Sequence, residues 1–144
     1  MAEWLTELGT PALPYHAGLS DEDRRHNQEE FVNERVDVIV ANGENAAGGF
    51  GITLDTAQEI LDSGVNVITS GGHIWDRKEV IPYLDDELPV LRPLNYPPGV
   101  PGRGHWVRNN LLVANAMGRV FVGNLDCPFR AMDALLDNQP ISPE

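Results

Sequence analysis

This sequence lacks a second cysteine, an apolar run of membrane length, a basic stripe and a secretory start, and each absence removes a class of function. Its one thiol, Cys127, cannot close a disulfide within the chain, which suits a reducing cytoplasm. Standing before Pro128, it reads as a small packed side chain rather than a reactive nucleophile. No stretch approaches the roughly 20 consecutive apolar residues that a membrane span requires, so a membrane is not an expected partner. Residues 1 to 10 mix Glu3, Trp4, Leu5, Glu7 and Leu8, with neither a basic head nor a continuous apolar stretch, so the expected compartment is cytoplasmic. Positive charge is scarce: ten Lys and Arg stand against 22 Asp and Glu, a net charge of -12. Such a surface repels a phosphate backbone, which disfavours long nucleic acid as a partner and leaves small phosphorylated ligands held through a cation.

What is present suits one ordinary globular domain. A chain of 144 residues, 42% hydrophobic and 22% charged, is long enough to bury roughly two thirds of its unfolded surface. We therefore expect a single compact domain over 1–144.

Local signals alternate between strand and helix. Residues 2–8 suit a short helix stopped by Gly9 and Pro11, and residues 12–15 a brief strand left through a turn at His16, Ala17 and Gly18. Ser20 followed by Asp21, Glu22 and Asp23 caps a helix reaching about Asn33. Residues 36–41, with three alternating valines, read as a buried parallel strand. A glycine-rich loop over 42–51 leads to a helix capped by Thr53 and ended by Gly64, then a strand over 65–69. Residues 76–84 suggest another helix, with Asp76 as its cap and Pro82 limiting it. The acidic run of Asp85, Asp86 and Glu87 reads as a solvated loop. Residues 92–104 form a long irregular loop, and Asn109-Asn110 a hairpin turn between residues 106–108 and 111–115. A last helix covers about 129–136. The pattern predicts an α/β fold with a largely parallel sheet and a C-terminal hairpin and helix.

Ligands of such sheets gather outside the carboxyl ends of the strands. Three loops leave strands there, beginning at His16, Asn42 and Gly71. Asn42-Gly43-Glu44-Asn45 offers one carboxylate and two amide oxygens on a tight loop, a donor set suited to a hard divalent ion; an Asn-rich turn capping a helix has the same appearance. Gly71-Gly72-His73 offers an imidazole able to bind a metal or to give a proton to a leaving oxygen, although a lone histidine after a strand is as readily structural. Arg103, Arg119 and Arg130 read as ties between loops. Trp75, Tyr96 and Trp106 read as packing beneath the proline-rich loop, with base stacking as the alternative. His26 lies on a charged, solvated helix, and His105 has no assigned role.

Taken together, these words exceed chance. The stretches VIVANGENAAGGFGIT, GVNVITSGGHIWDRKEVIPYL, LRPLNYPPGVPGRG and AMGRVFVGNLDCPFRAMDALL, within residues 38–136, resemble the YmdB-type metallophosphoesterases of the calcineurin-like superfamily. The resemblance implies a layered αββα fold and hydrolysis of phosphodiesters, 2',3'-cyclic nucleotides being the usual model substrate, with two metal ions, often iron. It implies that Glu44 is a carboxylate metal ligand, that Asn45 is its polar neighbour in the site, and that His73 protonates the leaving group. Iron or manganese is the implied cofactor.

This chain also departs from the family pattern. Where the family reads Gly-Asn-His, it has Gly71-Gly72-His73, so an asparagine ligand is missing at Gly72. The family's opening strand with a Gly-Asp metal motif is absent, and its remaining histidine ligands would lie past Glu144. In place of the opening strand, residues 3–41 resemble the second motor domain of RecQ-type helicases, most specifically at Tyr15-His16-Ala17-Gly18-Leu19. No P-loop lysine, acidic box or arginine motif accompanies them, which excludes ATP-driven unwinding. His16 would then fall near the position of the missing aspartate, where it could join Glu44 and His73 on one metal; its alternative is to pack beside Tyr15.

The expectation is a chimera of a RecQ-like unit (1–41) and a metallophosphoesterase fragment (42–144). On this reading it is a truncated, recombined relative of the phosphodiesterases, inactive or weakly active because ligands are missing. The residues leave open whether it is an enzyme at all. The alternative is a noncatalytic, self-associating module, natural or engineered, that holds no metal and forms a homodimer through uncovered apolar surface.

Overall fold

The computed structural model of the chain describes residues 12–15, 20–32, 38–85, 88–108 and 111–138, with backbone alone at 12–15 and 31–32. The expected helix over 2–8, the turn at 16–18 and the tail beyond 140 lie outside the described residues, as does His16.

Four parallel strands form the main sheet, in chain order: β1 (Ala12–Tyr15), β2 (Val38–Asn42), β3 (Val67–Thr69) and β4 (Val90–Leu91). Between them run helix α1 (Asp21–Val32), helix α2 (Leu54–Asp62) and a 3-10 turn over Lys78–Tyr83. Strands β5 (His105–Arg108) and β6 (Leu111–Ala114) pair antiparallel, with Arg108 opposite Leu111; the expected turn at Asn109-Asn110 lies outside the described residues. Helix α3 (Pro128–Asn138) closes the described chain.

The local reasons match the sequence. At the head of α1, Ser20 Oγ accepts from the Asp23 amide at 3.1 Å, satisfying one of the amides that a helix start leaves unpaired. His26 on that helix is exposed. Thr53 caps α2 through a reciprocal pair with Thr56, and α2 turns Ala57, Leu54, Ile60 and Leu61 toward the core. That core joins Ile39 and Ala41 of β2, Ile68 of β3 and Val90 of β4 to Ile52, Ile74, Val80 and Leu84 from the connections.

Two expectations are corrected. The segment after His73 is a 3-10 turn, not a longer helix, and Asp76 does not cap it; Arg77 precedes it with no side-chain cap bond. Pro82 within it has no amide to donate, so a regular helical turn could not be completed there. Strand β4 carries no signal of its own, being two residues between Pro89 and Pro93. Its pairing comes from β3: Ile68 N donates to Pro89 O at 2.8 Å and Ser70 N to Leu91 O at 2.9 Å.

The proline-rich loop is irregular but well tied. Arg92 donates through Nε to Gly102 O at 2.7 Å and through Nη1 to Pro93 O at 2.8 Å, and Asp85 accepts from the Gly102 amide at 2.7 Å. Asp85 is thus exposed, as expected of a solvated run, but it also holds the loop. Asn95 is fully buried; its amide meets Met117 N, Met117 O and Asp126 O at 2.9 to 3.0 Å. Trp75 gives its indole N–H to Pro101 O at 3.3 Å and meets the Tyr96 ring edge-on at 4.6 Å, the packing role expected of both. Arg103 likewise reaches a backbone carbonyl, that of Leu88, at 3.4 Å, whereas Arg119 and Arg130 are exposed.

Candidate functional site

Parallel pairing decides where the chemistry gathers. Asn42, the last residue of β2, lies opposite Thr69, the last of β3, so both chains leave the sheet at the same edge. Gly43 N continues the ladder to Thr69 O at 2.9 Å. Asn42 then turns the loop, its Oδ1 accepting from the Glu44 amide at 3.2 Å. Glu44 and Asn45 from one loop and His73 from the other are thereby brought together.

The side-chain amide of Asn45 lies 2.8 Å from His73 Nδ1. With its nitrogen on that side, the amide donates to Nδ1 and also reaches Gly49 O at 3.1 Å and Glu44 O at 3.3 Å; with its oxygen there, it would face only acceptors. An amide donating to Nδ1 leaves the neutral ring's proton on Nε2. Glu44 Oε1 is 3.8 Å from the same Nδ1, and both side chains are partly exposed. Even with the ring charged, an ion pair of that length and exposure would be worth at most about 1 kcal/mol, so it does not account for the carboxylate's position. The space at Gly71 does: a β-carbon there would fall on the Glu44 carboxylate. Gly72 differs, since a β-carbon there would meet nothing within 4 Å.

Sequence reasoning did not find two further residues of the site. Arg77 bridges the loop, donating through Nη2 to Ala47 O at 2.7 Å and through Nε to Phe50 O at 3.1 Å. Phe50 lies with its ring centroid 5.1 Å from that of His73, in an edge-on arrangement. A phenyl between two glycines on a ligand-edge loop was the available signal for Phe50; Arg77 had none, because its partners lie about one strand and one helix back along the chain. Tyr96 stands near enough to feel the site: burial, then the carboxylates of Glu44 and Asp76, hold its phenol above the usual value.

Among the described residues no group of three or more His, Cys, Asp or Glu side chains could hold a metal ion. Glu44, Asn45 and His73 supply one carboxylate, one amide and one imidazole, too few to fix a divalent ion unaided. Cys127 sits at the start of α3, where Ala131 N donates to its carbonyl at 3.0 Å. It is half-buried, and the backbone amide of Arg130 is the first cause of a thiol value held below the ordinary one. No helix of the described residues is long and apolar enough to cross a membrane.

Comparison with known proteins gives this arrangement its relatives. The chain is 43% identical over 101 residues to a 2',3'-cyclic-nucleotide 2'-phosphodiesterase of Bacillus subtilis, across 67% of this chain and 38% of that protein. A crystal structure of a hypothetical protein from Thermus thermophilus superposes with a TM-score of 0.72 at 39% identity, covering 88% of this chain and 52% of that one. A novel phosphatase from Mycoplasma pneumoniae superposes with a TM-score of 0.65 at 24% identity, covering 80% and 45%, a likeness of fold. The chain thus spans about half the length of the solved relatives and less of the Bacillus enzyme. A family model described as YmdB-like protein matches residues 26–143. The chain therefore belongs to the YmdB-like family.

Proposed function

We propose that this chain carries two active-site loops of a phosphodiesterase for small phosphodiesters, 2',3'-cyclic nucleotides among them, and that with these ligands alone it is inactive or weakly active. The observation that supports this reading is the meeting of Asn45 and His73 at 2.8 Å with Glu44 beside them, from loops 28 positions apart in sequence. His73, in its charged form with Nε2–H toward the ligand, is the group to protonate a leaving oxygen and is left as the neutral ring; Asn45 orients the ring through Nδ1, its amide oxygen accepting from the charged form and its nitrogen donating to the neutral one. Glu44 is the metal-facing carboxylate. Iron or manganese, when bound, would neutralise phosphate charge and lower the pKa of a water nucleophile. The donors here are too few to hold such an ion alone, so the chemistry assigned to this chain is proton donation and orientation.

His16 follows β1, whose Tyr15 pairs with Ala41 at the same sheet edge, and we take it as a further metal donor. Residues 1–41 are proposed as a RecQ-like strand-helix-strand unit joined to a metallophosphoesterase portion over 42–144 in one domain; the parallel β1–β2 pair is what either parent would supply. The charge of -12 favours a small ligand over long nucleic acid.

The test is nuclear magnetic resonance titration with manganese and 2',3'-cyclic AMP, beside Glu44→Ala and His16→Ala variants. Signals of residues 43–51 and 71–73 should respond together, and the manganese response should weaken in each variant. A response absent from both loops sinks the reading; an undiminished response in His16→Ala removes that residue alone.

A noncatalytic, self-associating module is the second reading. It is favoured by one observation: Val120, Phe121 and Phe129 are 77%, 104% and 79% exposed, apolar side chains that a second copy would cover. Elution at twice the monomer mass, reverting in Phe121→Asp, would support it.

A further inference from the structure

Phe50 is a large apolar side chain held in place by features that do nothing to bury it. Its ring is 60% exposed, yet the backbone beneath it is fixed on both sides. Arg77 grips its carbonyl at 3.1 Å and that of Ala47 at 2.7 Å, and Ala47 N closes the loop on Gly51 O at 2.9 Å. Gly51 has φ of +72°, and a β-carbon there would press on His73 O and Arg77 at 3.0 Å, so no other residue follows Phe50 without strain. Exposure by itself does not mark a site, and Phe121 and Phe129 are exposed as well. Phe50 differs in touching a site side chain, its ring edge-on to His73 at 5.1 Å. The other aromatics near the site, Trp75 and Tyr96, are half-buried and pack edge-on against each other.

We propose that Phe50 is the nucleobase platform of this site, setting its substrate class as nucleotides rather than phosphodiesters in general. The inference rests on the phosphodiester reading above. A ligand with its leaving oxygen at His73 would extend its base across the neighbouring phenyl face. Stacking is tolerant of base identity because every base has a π-face, so the platform selects for the presence of a base and not for its sequence. Arg77 is its positioning residue, acting through the loop backbone and not on the ligand.

The experiment measures binding of 2',3'-cyclic AMP and of a base-free five-membered cyclic phosphodiester, glycerol 1,2-cyclic phosphate, to the full chain with manganese. The proteins are the parent, Phe50→Ala and Phe50→Trp. The parent should prefer the nucleotide by about five- to hundredfold, the range expected of one stacked base. Phe50→Ala should erase that preference while leaving the base-free ligand unchanged, and Phe50→Trp should restore it. An unaltered preference in Phe50→Ala overturns the platform and leaves the phosphodiester site standing. If Phe50→Ala weakens both ligands equally, Phe50 is structural and the proposal fails. If the parent binds neither ligand, the phosphodiester reading itself fails and takes this inference with it.

Discussion

Gly71 leaves the space that the Glu44 carboxylate fills: a β-carbon on residue 71 would coincide with the acid group reaching across from the neighbouring strand end. The obstructed atoms are the free end of a flexible side chain. Gly71→Ala should therefore cost little in stability, within about 1 kcal/mol in urea unfolding, while the carboxylate swings away. Resonances of Glu44, Asn45 and His73 should move, and their broadening by manganese should fall.

Gly72 tests the same edge in the opposite direction. Since a β-carbon there meets open space, Gly72→Asn should fold normally and add an amide oxygen beside Glu44. Manganese retained after desalting, measured by elemental analysis, should rise over the parent, and adding Glu44→Ala should cancel the gain.

Asn95 spends its side-chain amide on the backbone of two other segments. It is completely buried and its amide satisfies both backbone groups of Met117 and the carbonyl of Asp126. Asn95→Ala would strand these groups away from water, an expected loss of about 2 to 4 kcal/mol in urea unfolding.

Arg77→Met keeps the stem of the side chain and removes its bonds to Ala47 and Phe50. Amide exchange in residues 46–51 should quicken by about tenfold for each 1.4 kcal/mol of local protection lost. Exchange in β2 and β3 should stay slow, and a uniform rise across the sheet would contradict a local role.

Cys127 should alkylate with a pH midpoint below the usual thiol value of about 8.5, because amides at the start of α3, that of Arg130 first, favour its thiolate. A folded value below the unfolded one also adds stability above the unfolded value, and this addition is lost as pH falls through the folded one. In urea the midpoint should return to that of an ordinary cysteine.

Most of the fold was legible because its signals are local. Ser20 and Thr53 cap helices at the predicted places, and β2 begins at Val38, within the stretch whose alternating valines predict a buried strand. Strands β5 and β6 pair where the sequence on either side of the Asn-Asn word predicts them. Local signals failed where a neighbour decides. β4 is too short to show a period and exists because β3 offers it a hydrogen-bonding edge. Residues 78–83 look helical by composition, but Pro82 withholds an amide from the turn.

For the site, the sequence by itself determined the words in which Glu44, Asn45 and His73 stand, specific enough to name a family. Tertiary structure alone decided their company. The register that sets Asn42 opposite Thr69 brings two loops to one edge, so that Asn45 meets His73, Gly71 clears room for Glu44, and Arg77 reaches back to lock Phe50 beside the imidazole. No local pattern encodes those meetings. They arise from the parallel pairing of β2 with β3, which many small non-local contacts in the core hold in a single register.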